Sequence, residues 1–193
     1  MASLPSFPLW TEEAYLEYEN SSSTRHEFYS GMVVAMAGGS ENHALLATNL
    51  LIDLGQQLED SPCRPVLHDV RLANPESKSY FYPDLLVRCP ESDVEAAPLE
   101  ARVVVEILSP STAAIDREFK RLAYQSSVSI RDYLMVSQDK MLIEHDTRAD
   151  AESPWRQLVY ATPEAMIELP SIGCVLKVGR VYRRIALRAA TDN

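Results

Sequence analysis

Leu46, Leu50, Leu54 and Leu58 recur at helical spacing, and Ala47 and Leu51 widen the stripe. The pattern predicts a long helix with one buried face. Gly38-Gly39-Ser40 precedes it, and Ser40 stands where an N-cap belongs. The glycine pair reads as a turn, since no lysine follows in Walker position and no GxGxxG is present. A second helical pattern covers "STAAIDREFKRLAYQSS", with Ile115, Phe119, Leu122 and Ala123 on its apolar side and Tyr124 in the core. "TEEAYLEYE" predicts a short N-terminal helix, capped by Thr11 and carrying acids in its first turn. Two strands meeting at Ser30-Gly31 follow it as a hairpin. "CRPVLHDVRLA", "SYFYPDLLVR" and "ARVVVEIL" each read as a strand. "RDYLMVSQDKMLIEHDTR" reads as a hairpin turning at Gln138-Asp139-Lys140, "WRQLVYAT" as a strand, and "GCVLKVGRVYRRIAL" as a short strand entering a final amphipathic element. The outline is α+β, a mixed sheet with a long helix on either side of its central strands.

One strand breaks its own pattern. Val103, Val105 and Ile107 fill one face of "VVVEIL", while Val104 and Leu108 share the other with Glu106. Apolar residues on both faces mark a central strand, where a lone carboxylate must be neutralised, hydrogen-bonded or coordinated. The preceding strand carries Asp84 on the face of Tyr82 and Leu86, directly after Pro83, which predicts an edge or a bulge there. If the two strands pair, the two acids lie close together. They would then share a proton or hold a divalent cation, and hard oxygen donors suit Mg2+ or Mn2+. The competing reading makes Asp84 a turn cap and pairs Glu106 with Arg88 or Arg102.

Composition narrows the class. The chain has 193 residues, 46% of them apolar, enough for one domain spanning 1–193. Cys63, Cys89 and Cys174 are scattered and read as reduced thiols. The N-terminus lacks a basic region and a long apolar run, and no stretch approaches membrane-spanning length, so a cytoplasmic protein without membrane contact is expected. A formal charge of −10 weakens an electrostatic grip on nucleic acid. The charge is uneven, however: residues 90–100 carry four acids and no base, while "KVGRVYRRIALR", residues 177–188, carries five basic residues and no acid.

"PD" at 83–84, with Glu106 in "VVVEIL" about twenty residues on, resembles the PD-(D/E)XK nuclease superfamily. "RHEFYSGMVVAMAGGSENH", "YFYPDLLVRC" and the run "EILSPST…D…K…Y" resemble, more specifically, the Uma-type family of bacterial restriction-endonuclease-like proteins, from about residue 11 to 187. The resemblance implies a restriction-endonuclease-like mixed sheet flanked by helices, with an N-terminal helix and β-hairpin. It also implies metal-dependent hydrolysis of DNA phosphodiester bonds, with Asp84 and Glu106 as ligands of Mg2+ or Mn2+. The Ile107 carbonyl is a further candidate ligand. Two residues after Glu106, where the motif lysine belongs, stands Leu108, and Lys120 on the following helix matches the displaced lysine.

Accessory residues carry two readings each. His43, on the first turn of the long helix, is expected neutral at pH 7 because the helix dipole disfavours a cation there; it is either a site residue or packed against the Gly-Gly turn. Glu27 resembles the acid that approaches the metal from outside the sheet, and is otherwise a surface strand acid. Lys120 with Asp116 also makes an ordinary i,i+4 surface pair. His26, His68 and His145 read as surface or turn residues. Arg25, Arg117 and Arg121 would extend the basic C-terminal patch toward DNA. The resemblance makes a homodimer reasonable, as paired sites can cut both strands. The alternatives are a nucleic-acid-binding module that has lost catalysis and a metal-binding interaction protein.

Overall fold

The structure, a computed structural model of the chain, describes residues 9–36, 38–67, 70–89, 101–109 and 113–187. Helix α1 (Glu12–Ser21) begins as its sequence prescribes, with the Thr11 side chain accepting from the Ala14 amide. Strands β1 (His26–Tyr29) and β2 (Met32–Ala35) pair through Ser30 and Gly31, whose φ angles of 49° and 76° suit a two-residue hairpin turn. Helix α2 (Glu41–Gln57) is capped by Ser40, and its leucine stripe is buried at Leu46, Leu50 and Leu54.

Two of the expected strands each divide. "CRPVLHDVRLA" becomes β3 (Arg64–Leu67) and β4 (Leu72–Asn74); "SYFYPDLLVR" becomes β5 (Ser79–Phe81) and β6 (Leu85–Arg88). The second division falls at Pro83, which has no amide to give a ladder. It marks a change of sheet: β5 joins a four-stranded antiparallel sheet of order β2-β1-β5-β4, whereas β6 enters a second, larger sheet.

That larger sheet gains β7 (Val103–Leu108), then, after a helical crossover, β8 (Asp132–Ser137), β9 (Ile143–Thr147) and β10 (Arg156–Tyr160). Its order is β10-β9-β8-β7-β6-β3, with β7 and β8 parallel and every other pair antiparallel. The crossover comprises α3 (Ala113–Ile115), a π-helical segment (Asp116–Lys120) and α4 (Arg121–Ser126). The chain continues through β11 (Met166–Leu169), a 3-10 turn (Pro170–Ile172), β12 (Cys174–Lys177) and α5 (Val178–Val181). Strand β11 lacks a pattern strong enough to be expected from sequence. Its pairing with β12 lets Ile167 and Leu176 close one end of the core.

Strand β7 is buried at all six positions, as a central strand should be. On one side Val103, Val105 and Ile107 pack with Leu46, Leu50 and Leu54 of α2. On the other, Val104 and Leu108 pack with Phe81, Tyr124 and Tyr133. The crossover helix covers this second side, with its expected face corrected. Phe119 is 44% and Leu122 69% exposed, while Asp116 (2%) and Lys120 (6%) are turned inward. A π-turn shifts the phase of a helix, and here polar pairing with the sheet decides which face goes in.

Two further expectations are overturned. Cys63 and Cys89 form a disulfide: β3 and β6 are antiparallel with Arg64 opposite Arg88, so the cysteines just beyond those residues face each other. Their separation of 26 residues hid that proximity in the sequence. Cys174 alone is a free thiol among the described residues. His26 and His145 are buried rather than superficial, because each has a carboxylate partner: His26 meets Glu19 at 3.0 Å and His145 meets Asp132 at 2.8 Å. His68, the acidic run 90–100, Arg188 and the start of the crossover at 110–112 lie outside the described residues. Among those described, no helix is long and apolar enough to cross a membrane.

Candidate functional site

Strands β6 and β7 pair with Leu86 opposite Val104 and Leu85 opposite Val105. Extending that register by one residue sets Asp84 opposite Glu106, on the face that also carries Tyr133 and Met135. The junction is tightened by the Ile107 amide, which donates to Asp84 Oδ2 at 2.6 Å. Both acids line a cleft of about 360 Å³ at the edge between the two sheets.

Neither arginine expected as a partner of Glu106 serves it. Lys120 does, reaching from the crossover helix to Glu106 Oε1 at 3.1 Å, Glu27 Oε1 at 2.8 Å and Asp116 Oδ1 at 3.3 Å. The i,i+4 pair with Asp116 therefore exists, but inside the protein and as one contact of three. The same Glu106 oxygen accepts from the Tyr124 hydroxyl at 2.8 Å. Glu27 also accepts from the Tyr82 amide at 3.1 Å, which fixes the hairpin carboxylate to the start of the sheet crossing. Leu108 points into apolar packing, and the cation in contact with Glu106 comes from Lys120 instead.

The electrostatics follow from burial. Glu106 is held well above the ordinary carboxylate range, first by burial and then by Asp116, Asp84 and Glu27, with Lys120 opposing. Burial pulls Lys120 downward, but Glu106, Glu27 and Asp116 together hold its ammonium well above the usual lysine value. Burial and the Glu106 charge raise Tyr124 as well, so its hydroxyl remains a donor. Three carboxylates thus contact one ammonium, with Asp84 near Glu106 as well, and negative charge is in excess.

His43 reaches Asp84 Oδ1 at 3.1 Å. Hydrogen bonding to Asp84 raises the imidazole above its ordinary value, against the pull of burial and opposite in direction to the effect expected from the helix end. A carboxylate in contact outweighs the partial charge of a helix end. Gly39 is needed for this placement, since a Cβ there would stand 2.9 Å from His43 Nδ1.

Donors able to hold a divalent cation are Asp84, Glu106 and the carbonyl of Ile107. Among the described residues no three His, Cys, Asp or Glu side chains form a ready cation cage. Mg2+ commonly takes only one or two carboxylates and completes its shell with water. Hard oxygens with excess negative charge fit that chemistry.

The arginines expected to extend a DNA-facing patch are occupied. Arg117 pairs with Glu144 and Arg121 with Asp146, both acids lying on β9 on the Glu106 face of the sheet. Arg25 stacks over the Tyr82 ring at 5.6 Å. The basic C-terminal segment runs along α2, where the amides of Asn42 and Asn49 bond the carbonyls of Ala186, Val181 and Arg183.

Sequence reasoning missed Asp116 and Tyr124 as members of the site, although Asp116, Lys120 and Tyr124 recur every four residues and so announce one polar face. Gln138 was missed too. It lines the cleft beside Ser40 across 98 residues of chain, a relation no local pattern carries.

Comparison with known proteins agrees with this architecture. Residues 12–179 match the Uma2 family, described as "Putative restriction endonuclease". The chain is similar to the Synechocystis protein slr1290, with 32% identity over 182 residues, covering 93% of this chain and 95% of that one. It is similar to a second Synechocystis protein, sll1609, with 32% identity over 139 residues, covering 70% and 78%. A crystal structure from Anabaena variabilis, titled a "putative nuclease belonging to DUF820", superposes with a TM-score of 0.71 at 14% identity, over 89% of this chain and 97% of that one. With most of its length matched in sequence and its architecture shared, the chain belongs to the Uma2 family and carries a nuclease-like α+β fold.

Proposed function

We propose that this chain is a divalent-metal-dependent nuclease that hydrolyses DNA phosphodiester bonds at the cleft between its two sheets. The observation that carries the reading is Lys120. A lysine is missing two residues after Glu106, and an ammonium from the next helix stands 3.1 Å from that same carboxylate. Asp84 and Glu106 would hold Mg2+ or Mn2+ with the Ile107 carbonyl. Such a cation, when bound, lowers the pKa of a coordinated water and polarises a phosphoryl oxygen.

The remaining work falls to the chain's own groups. Lys120, shielded from solvent, stabilises negative charge developing on the phosphoryl group. Glu27 and Asp116 hold its ammonium in place, and Tyr124 fixes the rotamer of Glu106. His43 orients Asp84 through the contact with Oδ1. The reading treats 1–193 as one domain that acts as a homodimer on duplex DNA; a scattering mass of 21.6 kDa, that of one chain, would oppose the dimer.

Plasmid cleavage with Mg2+ or Mn2+ tests the proposal. Lys120→Met and Asp84→Ala are expected to lower the rate by about 100-fold or more. Cleavage that is unaffected by chelation, or that survives both substitutions, overturns it. Leu108 in the place of the motif lysine favours one rival, a nucleic-acid-binding module without catalysis. Salt-sensitive DNA binding by a parent protein that never cleaves would single it out.

A further inference from the structure

One part of the cleft lining, reaching Asp84 through His43, has the reverse polarity. It consists of Gly38, Gly39 and Ser40 at the start of α2, His43 one turn on, and Gln138 at the end of β8. Helix α2 has 17 residues, so its N-terminus carries a full set of amide donors and positive partial charge. Ser40 satisfies the His43 amide, and the Ser40 carbonyl takes the Ala44 amide. The amides of Gly39, Glu41 and Asn42 have no partner among the described residues. Glu41, the acid of this first turn, does not line the cleft.

Gln138 is the independent observation. It is only 7% exposed, and its main chain is bonded on both sides, the amide to the Leu108 carbonyl and the carbonyl to the Asn42 side chain. Its side-chain Oε1 accepts from the Ser40 hydroxyl at 2.5 Å, which turns the Nε2 amide away from Ser40. That amide has no hydrogen-bond acceptor among the described residues, although Gln138 lines the cleft. An unpaired donor on a nearly buried residue, held through its bonded oxygen beside a helix N-terminus, suits an anionic oxygen acceptor.

We propose that Gln138 Nε2 and the first amides of α2 form a phosphate subsite, which binds a non-bridging oxygen of the nucleic-acid backbone and sets the strand against the carboxylate wall. The proposal rests on the nuclease reading for its substrate class. It assigns binding to Gln138 rather than chemistry. It also gives an acidic protein a local means of holding a phosphodiester without a basic surface.

A thymidine dinucleotide, the smallest DNA phosphodiester, is the probe. Titrated into the full chain and followed by amide NMR, it should shift the Gln138 side-chain amide and the backbone amides of residues 39–42 in a saturable way. Gln138→Glu places a carboxylate where the donor was, and should weaken binding by about tenfold or more. Gln138→Met, neutral and of similar size, should weaken it by several fold, and an unchanged melting temperature would show that either variant still folds. Shifts confined to other residues, or equal affinity in the parent and both variants, overturn the subsite. Metal-dependent plasmid cleavage by the parent is measured alongside. If cleavage is present but Gln138 is indifferent, the subsite alone fails; if the dinucleotide shifts Gln138 but no cleavage occurs, the nuclease reading alone fails.

Discussion

At the scale of single residues, the cleft is a problem of charge. Glu106 keeps its proton more readily in the folded protein than in the unfolded chain, because burial and the neighbouring acids raise it while Lys120 only partly compensates. A carboxyl raised in this way costs stability as pH climbs from the ordinary carboxylate range toward its folded value. Glu106→Gln removes that cost, so with chelator at neutral pH the variant should melt at or above the parent, and the difference should shrink as pH falls toward 4.5. Lys120→Met does the opposite, leaving three buried acids without their ammonium, and should lose about 3 kcal/mol or more. Thermal melts at several pH values check both variants. A Glu106→Gln protein that melts well below the parent at neutral pH would contradict the excess of negative charge. Glu106 and Asp84 were legible in the sequence because strand alternation exposes a misplaced acid, and because Pro83 flags Asp84. Lys120 was legible only through the resemblance. Its three partners lie 93, 14 and 4 residues away in the sequence, and only the last is within reach of a local rule.

Elements bring those partners together, and the crossover helix matters most. It lays Arg117, Lys120, Arg121 and Tyr124 onto Glu144, Glu106, Asp146 and Glu106 in turn. The sheet supplies that acid row from β7 and β9, on one face. The π-helical segment of the crossover, Asp116–Lys120, turns both of its end residues inward. This also explains where periodicity misled. Ile115, Phe119 and Leu122 fit an apolar stripe at 3.6 residues per turn, but the helix does not keep that period through them. Helix α2 keeps it throughout, and Leu46, Ala47, Leu50 and Leu54 of its stripe are buried as expected, with Asp53 beside them. Strand β11 went unseen because "MIEL" is too short to alternate visibly, and it exists through its pairing with β12.

For the molecule as a whole, a charge of −10 sets the terms of any contact with DNA. Arg117 and Arg121 are already committed to acids, so binding should be weak and fall steeply between low and physiological salt. Fluorescence anisotropy with a labelled duplex measures it, and affinity indifferent to salt would exclude backbone phosphates as the main contact. The mixed sheet, the hairpin and the N-terminal helix were legible from pattern. The division into two sheets was not, because it depends on long-range pairing of β5 with β1 and of β6 with β7. That division has a mechanical consequence. The chain crosses from one sheet to the other at Tyr82–Asp84, and a single ammonium spans the seam, bonded to Glu27 on the smaller sheet and Glu106 on the larger. Lys120 is therefore a rivet as well as a reagent. Without it the smaller sheet should open as a separate cooperative unit. Hydrogen exchange would then quicken through β1, β2, β4 and β5 in Lys120→Met while β7 and β8 kept their protection, whereas uniform quickening across both sheets would mean that the seam carries no special load.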